Sequence, residues 1–521
     1  MIYFKIFKSI NKPIINQNKL SNKSFLVVDR ERVVPTFFMC ILSFVIAKKR
    51  KIKPILIGDF DKENKIYYEI FKSFGFQNIK NIYSKKCIIL NIHITFDSIK
   101  YFISAIFFLK TKKDSSWFIN NFKIKNILIG DLIFDTFNQS NIADPRLNFR
   151  KLKILFSAIF RMIKISKIIK TNNVKVIIVP TQTYCFNAGI ACRIGLTKKI
   201  KVLTLHENNY LETHSFKNIV FGPYNIVHNN TLSSVKKNKD IFKIDKYLQD
   251  RKNLKVKTHY TASEDLNKAN KFKNISINKE NFIKKFYMDS NYKNKNLVLI
   301  ACHAFSDASN GMGTSLIFND YYDWLHETLK FINNLNNKNI LFIIKNHPAS
   351  VFNDLSIIND LLKKYENKNI ILSPKNINTN NLIQICDNVI TARGTIGIEF
   401  ATNGKYPIIC GAATYSGLGI ALEAKSKKKY FSLLNKLDSL PKISRNKIFL
   451  AKQVLYFMEH YQFDRLPKLN DKKLVLNKKI ISNSKFSNQY NIFCKELIRN
   501  IKKIGFTNDD LCKYLLNKII F

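Results

Sequence analysis

One rhythm constrains this chain more than any other feature. A short apolar strand leads through a loop into an amphipathic helix and on to another strand, and the series runs twice. Phe25-Leu26-Val27-Val28 and Pro54–Ile57 read as strands, the second closing on Gly58-Asp59. Cys87–Ile92, Asn126–Ile129, Val174–Val179 and Val202–Leu205 continue the strands, with helices expected over Arg32–Ala47, Asn64–Phe74, Asp97–Leu109 and Cys185–Ile194. The rhythm weakens over 230–290, where Lys and Asn crowd together, and restarts at Asn296. Strands at Leu297–Ile300, Ile340–Ile344, Ile370–Leu372, Asn388–Thr391 and Pro407–Cys410 then alternate with helices. The helix Asp320–Leu335 repeats its apolar residues near 3.6 spacing, and Asn319 is its expected N-cap. Strands alternating with helices imply parallel sheets covered on both faces. The expected organisation is α/β: an amino-terminal half over 1–275, a second half over 276–430 and a basic helical extension over 431–521.

Charge is the next constraint. Lysine and arginine number 86 against 37 acidic residues in 521, a formal net charge of +49. An anionic partner would explain it: nucleic acid, a membrane surface or a phosphorylated substrate. The lysines are spread through almost every segment, however, in a chain heavy in Lys, Asn, Ile and Phe. Arginine, the residue suited to bidentate recognition of phosphates and bases, is scarce. Compositional drift therefore explains most of the charge and no specific nucleic-acid partner is expected. Peripheral contact with an anionic inner membrane face remains a secondary expectation. No continuous apolar run approaches the ~18–20 residues of a spanning helix; the longest candidate, Phe37–Ala47, is about half that. The first residues lack an apolar core and a small-residue cleavage site, so no signal peptide and a cytoplasmic location are expected. Nine scattered cysteines without a C-x-x-C pair suit a reducing compartment and neither a disulfide framework nor a zinc site.

The chemistry-bearing residues fall just after strands, where open parallel sheets bind ligands. Arg393-Gly394-Thr395 follows one strand and opens a helix carrying Gly397 and Glu399. Gly394 lets the backbone approach a phosphate, Thr395 can cap or bind it, and Glu399 is spaced to meet a sugar or ribose hydroxyl. Tyr415-Ser416-Gly417 reads as a flexible lip. Lys345-Asn346-His347-Pro348 follows another strand, placing a phosphate donor in His347, a charge in Lys345 and a rigid turn at Pro348. His303 and Asp307 lie past a third strand, and either could act as a base. Asp131 and Asp135, four apart on one expected helix, could hold acceptor hydroxyls, or one could be a general base. His206 and Glu207 are further cleft candidates. Position 210 is Tyr, so His-Glu-x-x-His is broken and no metal is expected; no cofactor is expected either. Walker A, G-x-G-x-x-G after the first strand and G-x-S-x-G are all absent.

The residues Phe318 to Leu325, Glu327-Thr328-Leu329, Lys345 to Pro348, Thr391 to Thr395 with Glu399, Gly404 and Tyr415 to Gly417 resemble bacterial capsule and surface polysaccharide biosynthesis proteins. They are similar to the capsule-type Kdo transferases and their relatives; the stretch Gly130 to Thr136 also looks like that group's amino-terminal signature. The resemblance is clearest over 297–420. It implies a GT-B-like fold of two Rossmann-like domains facing across a cleft, with a nucleotide-sugar donor, CMP-linked in some relatives, on the second domain. The acceptor, a glycan or lipid-linked glycan, would sit on the first. His347 would then meet the donor phosphate, Gly394 and Thr395 would frame it, and Glu399 would contact ribose or sugar. Lys-Asn-His-Pro here replaces the family's Lys-Pro-His-Pro. The implied activity is metal-independent glycosyl transfer. Alternatives of the same fold are a CDP-polyol phosphotransferase or a nucleotide-sugar 2-epimerase. A non-catalytic assembly or anionic-surface-binding protein is the alternative of another class.

Overall fold

The computed structural model describes residues 21–28, 50–59, 76–111, 115–140, 147–180, 183–205, 210–214, 241–252, 278–286, 295–310, 316–335, 337–347, 354–374, 379–460 and 464–465, with isolated positions in 39–47, at 71 and 72, and at 377. Most of the helices expected over Arg32–Ala47 and Asn64–Phe74, and Pro348, His206 and Glu207, lie outside the described residues.

The first sheet is built from β1 (Ser21–Val28), β2 (Ile52–Gly58), β3 (Asn78–Asn81), β6 (Val174–Val179), β7 (Lys201–Leu205) and β8 (Tyr210–His214). Between β3 and β6 come α1 (Lys85–Leu90), α2 (Ile92–Thr111), α3 (Ser115–Asn121), a hairpin of β4 (Lys123–Ile124) and β5 (Ile127–Leu128), α4 (Gly130–Ser140) and α5 (Phe149–Thr171); α6 (Asn187–Thr197) joins β6 to β7. The order is β8-β7-β6-β1-β2-β3, parallel except at the β7–β8 edge. The chain starts in the middle, winds out through β2 and β3, and crosses to the other side through β6. Phe25, Leu26, Val27 and Val28 are all buried, the near-continuous apolar run that a strand covered on both faces requires.

After α7 (Ile241–Lys252) and α8 (Lys279–Phe286), the second sheet repeats that plan. It comprises β9 (Asn296–Ala301), β10 (Ile340–Lys345), β11 (Ile370–Leu372), β12 (Asn388–Thr391), β13 (Pro407–Ile409) and β14 (Leu422–Glu423). The connecting helices are α9 (Tyr321–Leu335), α10 (Asp354–Tyr365), α11 (Thr379–Ile385) and α12 (Ile396–Thr402). The order is β11-β10-β9-β12-β13-β14, parallel throughout. Alternate residues face opposite cores: Val298, Ile300, Phe342 and Ile344 pack toward Trp324 and Leu325 of α9. Leu297, Leu299, Leu341 and Ile343 pack toward Phe282 of α8 and Leu382 of α11.

The carboxyl-terminal helices α13 (Lys427–Leu434) and α14 (Arg445–His460) are integrated into this body. Ala451, Val454 and Leu455 of α14 share a core with Ile244 and Tyr247 of α7 and with Ile398 and Ala401 of α12. β15 (Asp464–Arg465) then pairs antiparallel with β8, so the chain ends its described course back on the first sheet.

Four expectations are corrected. Cys87–Ile92, expected as a buried strand, lies across α1 and the start of α2, with Ile89 and Leu90 exposed; an isolated β-branched apolar run does not distinguish the two by itself. Asn126–Ile129 contributes only β5 of a two-stranded hairpin, turned by Lys125 and Asn126 at positive φ, and does not enter a main sheet. Asp320, not Asn319, caps α9: its Oδ1 accepts from Asp323 N at 2.7 Å, while Asp323 Oδ2 accepts from Asn319 N at 3.0 Å. Finally, Ile92–Lys110 forms one helix long and apolar enough to cross a membrane by length and composition. His93, Asp97 and Lys100 break its apolar run in the sequence, which is why a search for continuous apolar residues passes over it.

Candidate active site

Each sheet has one place where the winding reverses, and there the loops after neighbouring strands diverge and leave a crevice. In the second sheet that place lies between β9 and β12. It brings together the segments 302–307 and 392–395, with the end of β10 beside them. The ring of His303 stacks on Tyr321 at 4.3 Å and lies 6.4 Å from the ring of His347. His303 Nε2 accepts from the backbone N of Arg393 at 3.2 Å and lies 3.5 Å from Thr391 Oγ1. An acceptor nitrogen carries no proton, and burial between aromatic and cationic neighbours pushes the His303 pKa well down. His303 is therefore a neutral strut under the Arg393-Gly394 turn, with its accepting nitrogen already committed.

The Arg393-Gly394-Thr395 turn is held from several sides. Thr391 Oγ1 accepts from Gly394 N at 3.3 Å, Arg393 Nη2 donates to Ala308 O at 2.8 Å, and the guanidinium lies 5.4 Å from the centre of the Tyr321 ring. Tyr415 is fully buried, and its hydroxyl donates to Gly394 O at 2.8 Å. A Cβ at Gly397 would collide with that hydroxyl, which is the physical need for glycine there. The expected flexible lip is thus a packed support: Tyr415 and Ser416 are buried, Ser416 Oγ accepts from Ala413 N, and Gly417 turns the chain at φ +79°. α12 is only seven residues long, and Gly397 N and Ile398 N already donate to Gly394 O and Thr395 O. Thr395 makes no side-chain cap bond. Any anion here is held mainly by side chains. Glu399 is grasped by Arg251 of α7, whose Nε donates to Oε1 at 3.1 Å, so its carboxylate is engaged by the protein.

Lys345 and His347 complete the second-domain wall. Lys345 Nζ donates to Ile377 O at 3.1 Å, and burial lowers its pKa to about 8. Burial likewise lowers His347 to about 4. Asp307 is open to solvent yet recessed in the cleft. Desolvation by the surrounding protein raises its pKa to about 6, against the opposing pull of Arg393.

The first domain presents its own reversal point, between β1 and β6. The segment after β6 carries Tyr184, at φ +63°, whose hydroxyl donates to Ser306 O at 3.2 Å. The two crevices thus face one another. Asp135 of α4 is fully buried and reaches across: its carboxylate accepts from Asn310 N at 3.1 Å, from Asn310 Nδ2 at 3.1 Å and from Ser309 Oγ at 3.2 Å. One turn on, Asn138 Nδ2 donates to Asp320 Oδ2 at 3.0 Å. Asp131 does different work despite sharing the helix. Arg193 of α6 grips both its oxygens and also donates to Leu128 O at 3.0 Å, a closed pair beneath the first-domain surface. Asp135 is a clamp between domains and Asp131 an internal tie, so neither stands open as a base.

Asn138 and Arg251 were not singled out from the sequence, whereas Asp320 lies in the Phe318 to Leu325 stretch that carries the resemblance and Asn310 opens the polar loop after His303 and Asp307. Asn138 carried a signal of its own, lying seven residues after Asp131 and so on the same helical face. Among the described residues no cluster of three or more His, Cys, Asp or Glu is arranged to hold a metal ion.

Residues 221–458 match the capsule polysaccharide biosynthesis protein family. Over that segment the chain is similar to the family, a similarity that its motifs led one to expect. No curated protein matches the chain in sequence. Among solved structures it is similar to the β-Kdo 2,7 transferase of KpsC from Thermosulfurimonas dismutans, at 16% identity and TM-score 0.30, covering 60% of this chain and 87% of that one. It is also similar to a glycosyltransferase from Rickettsia africae, at 14% identity and TM-score 0.25, covering 94% and 100%. A UDP-GlcNAc 2-epimerase from Neisseria meningitidis bound to UDP-GlcNAc matches at 12% identity and TM-score 0.23, covering 82% and 94%.

Proposed function

We propose that this protein is a GT-B-type glycosyltransferase of surface polysaccharide synthesis, moving a sugar from a nucleotide-sugar to a glycan or lipid-linked acceptor. The observation that carries the reading is the meeting of two sheet reversal points, with Asp307, His347, Lys345 and Arg393 on one wall and Tyr184 opposite. Lys345, still largely protonated near neutrality, and Arg393 offset the charge that gathers on the departing nucleotide phosphate, the electrostatic work a transfer of this kind demands without a metal ion. His347, kept neutral by its burial, donates one N–H to a phosphate oxygen. Asp307 is the acid–base group: a pKa raised to about 6 leaves it ionised yet basic enough to take a proton from an acceptor hydroxyl. His303, Thr391 and Tyr415 position the Arg393-Gly394 turn. The acceptor lies toward the first domain.

Thermal stabilisation by CMP-, CDP-, UDP-, GDP- and dTDP-sugars tests the reading, because a ligand that binds only the folded state raises its apparent stability. One nucleotide is expected to shift Tm selectively and to lose most of that effect in His347→Ala. A transfer assay with that donor should show kcat/KM down by at least about tenfold in His347→Ala, or ~1.4 kcal/mol of transition-state stabilisation. A selective shift that His347→Ala leaves intact overturns the role given to His347. Epimerisation of the donor without an acceptor overturns the transferase reading.

A further inference from the structure

The first domain carries an apolar face that the transfer chemistry does not use. On α2, Ile92, Phe96, Ile99, Ile103 and Phe107 recur at spacings of four, three, four and four residues, so they line one side of the helix. Their relative exposures are 57%, 66%, 41%, 62% and 62%, and Ile89 and Leu90 at the end of α1 extend the run at 75% and 70%. Single exposed apolar residues are ordinary, but a contiguous stripe of isoleucine and phenylalanine over about four turns is not. The opposite side of α2 is committed to the fold. Ile94 and Ala105 are buried in the first-domain core, and Phe102 packs edge-on against Phe156 of α5 at 5.7 Å. A helix held to the first-domain core at Ile94, Phe102, Ala105 and Leu109 cannot cross a bilayer without leaving that core, so the stripe lies flat on whatever covers it.

Charge decides what that is. From 85 to 113 the sequence holds six lysines, at 85, 86, 100, 110, 112 and 113, against the single Asp97. Lys100 and Lys110 are exposed on α2 itself. The stripe offers no hydrogen-bonding side chain, whereas protein interfaces use roughly one hydrogen bond per 100–200 Å². An apolar stripe with exposed Lys100 and Lys110 on the same helix matches an anionic bilayer surface, where acyl chains take the apolar residues and headgroup phosphates take the ammonium groups.

We infer that α1 and α2 form a docking face by which the protein lies on an anionic lipid bilayer, with α2 in the plane of the headgroups. The face rests on its own geometry and stands whether or not the transferase reading does.

Flotation of the full chain with two vesicle preparations tests this: phosphatidylcholine alone, and phosphatidylcholine with about one-third phosphatidylglycerol, each at low and high salt. The wild type is expected to float with the anionic vesicles, at least tenfold more weakly with the neutral ones, and less at high salt. The triple substitution Phe96→Ser, Ile103→Ser, Phe107→Ser is expected to weaken anionic binding at least tenfold with Tm unchanged; Lys100→Glu with Lys110→Glu should weaken it several-fold. Absence of vesicle binding by the wild type, or triple-variant binding within twofold of it, overturns the inference. So does a lowered Tm or a changed sedimentation coefficient in the triple variant, because the stripe would then be covered by another segment of this chain or by a second copy.

Discussion

Desolvation by the surrounding protein acts in opposite senses on the two titratable groups nearest the meeting of the domains. It raises Asp307 to about 6 and lowers His347 to about 4, because in each case it penalises the charged form. The pH dependences follow. A raised carboxyl pKa means that the folded protein binds more protons than the unfolded chain between about 4 and 6, so the stability linked to Asp307 declines as pH rises through that window. Asp307→Asn is therefore expected to raise Tm at pH 7.5 relative to wild type, with the gain shrinking toward pH 4, while abolishing transfer; calorimetry at the two pH values checks it. The His347 contribution has the opposite slope: stability is full above about 6.5 and falls as pH drops toward 4. For the buried Tyr415 hydroxyl on Gly394 O, Tyr415→Phe should cost about 0.5–1.5 kcal/mol in urea unfolding and raise KM for the donor more than it lowers kcat. All these positions were legible as residues following strands. Which of them are struts was not, since a hydrogen bond from Arg393 N to His303 joins segments about ninety positions apart.

At the scale of elements, α4 shows how one helix can face two ways. Asp131 and Asp135 were recognisable as a pair on one helix, but their partners come from α6 and from the second domain. Removing one member of a buried pair leaves the other charge unpaired, so Asp131→Ala is expected to cost about 3–5 kcal/mol by denaturant unfolding. Arg193→Met in the same background should recover part of that loss. Five of the six strands of the second sheet were read to within a residue, because their runs are continuous and apolar; β14, two residues long, was not read. α1 was misread for the same reason: its Cys-Ile-Ile-Leu run has strand composition, and only its exposed position beside α2 shows that it is not core.

In the whole molecule, the described residues join the two halves through a polar set: Asp135 on Ser309 and Asn310, Asn138 on Asp320, and Tyr184 on Ser306. Asp135→Ala should loosen that meeting without emptying either hydrophobic core. The expected outcome is a larger radius of gyration by small-angle scattering and a kcat/KM reduced about tenfold, with a fall in Tm smaller than that of Asp131→Ala; an unchanged scattering profile would show that the clamp is dispensable. α14 and β15 tie the two halves again from the other direction, a return that the helical composition of 431–460 did not disclose.

Sequence alone determined the class of architecture. The period of apolar residues is a local property, and alternating strands and helices admit few arrangements other than parallel sheets wrapped on both sides. It also placed the chemistry-bearing residues at strand ends, because loop polarity and glycine are local too. Tertiary structure decided which of those residues face one another, which carboxylates are already spoken for and which apolar helix face is left uncovered. Those outcomes depend on contacts between segments tens to hundreds of residues apart. Desolvation, the largest cause of the pKa shifts at this site, is a property that no residue has until the chain has folded around it.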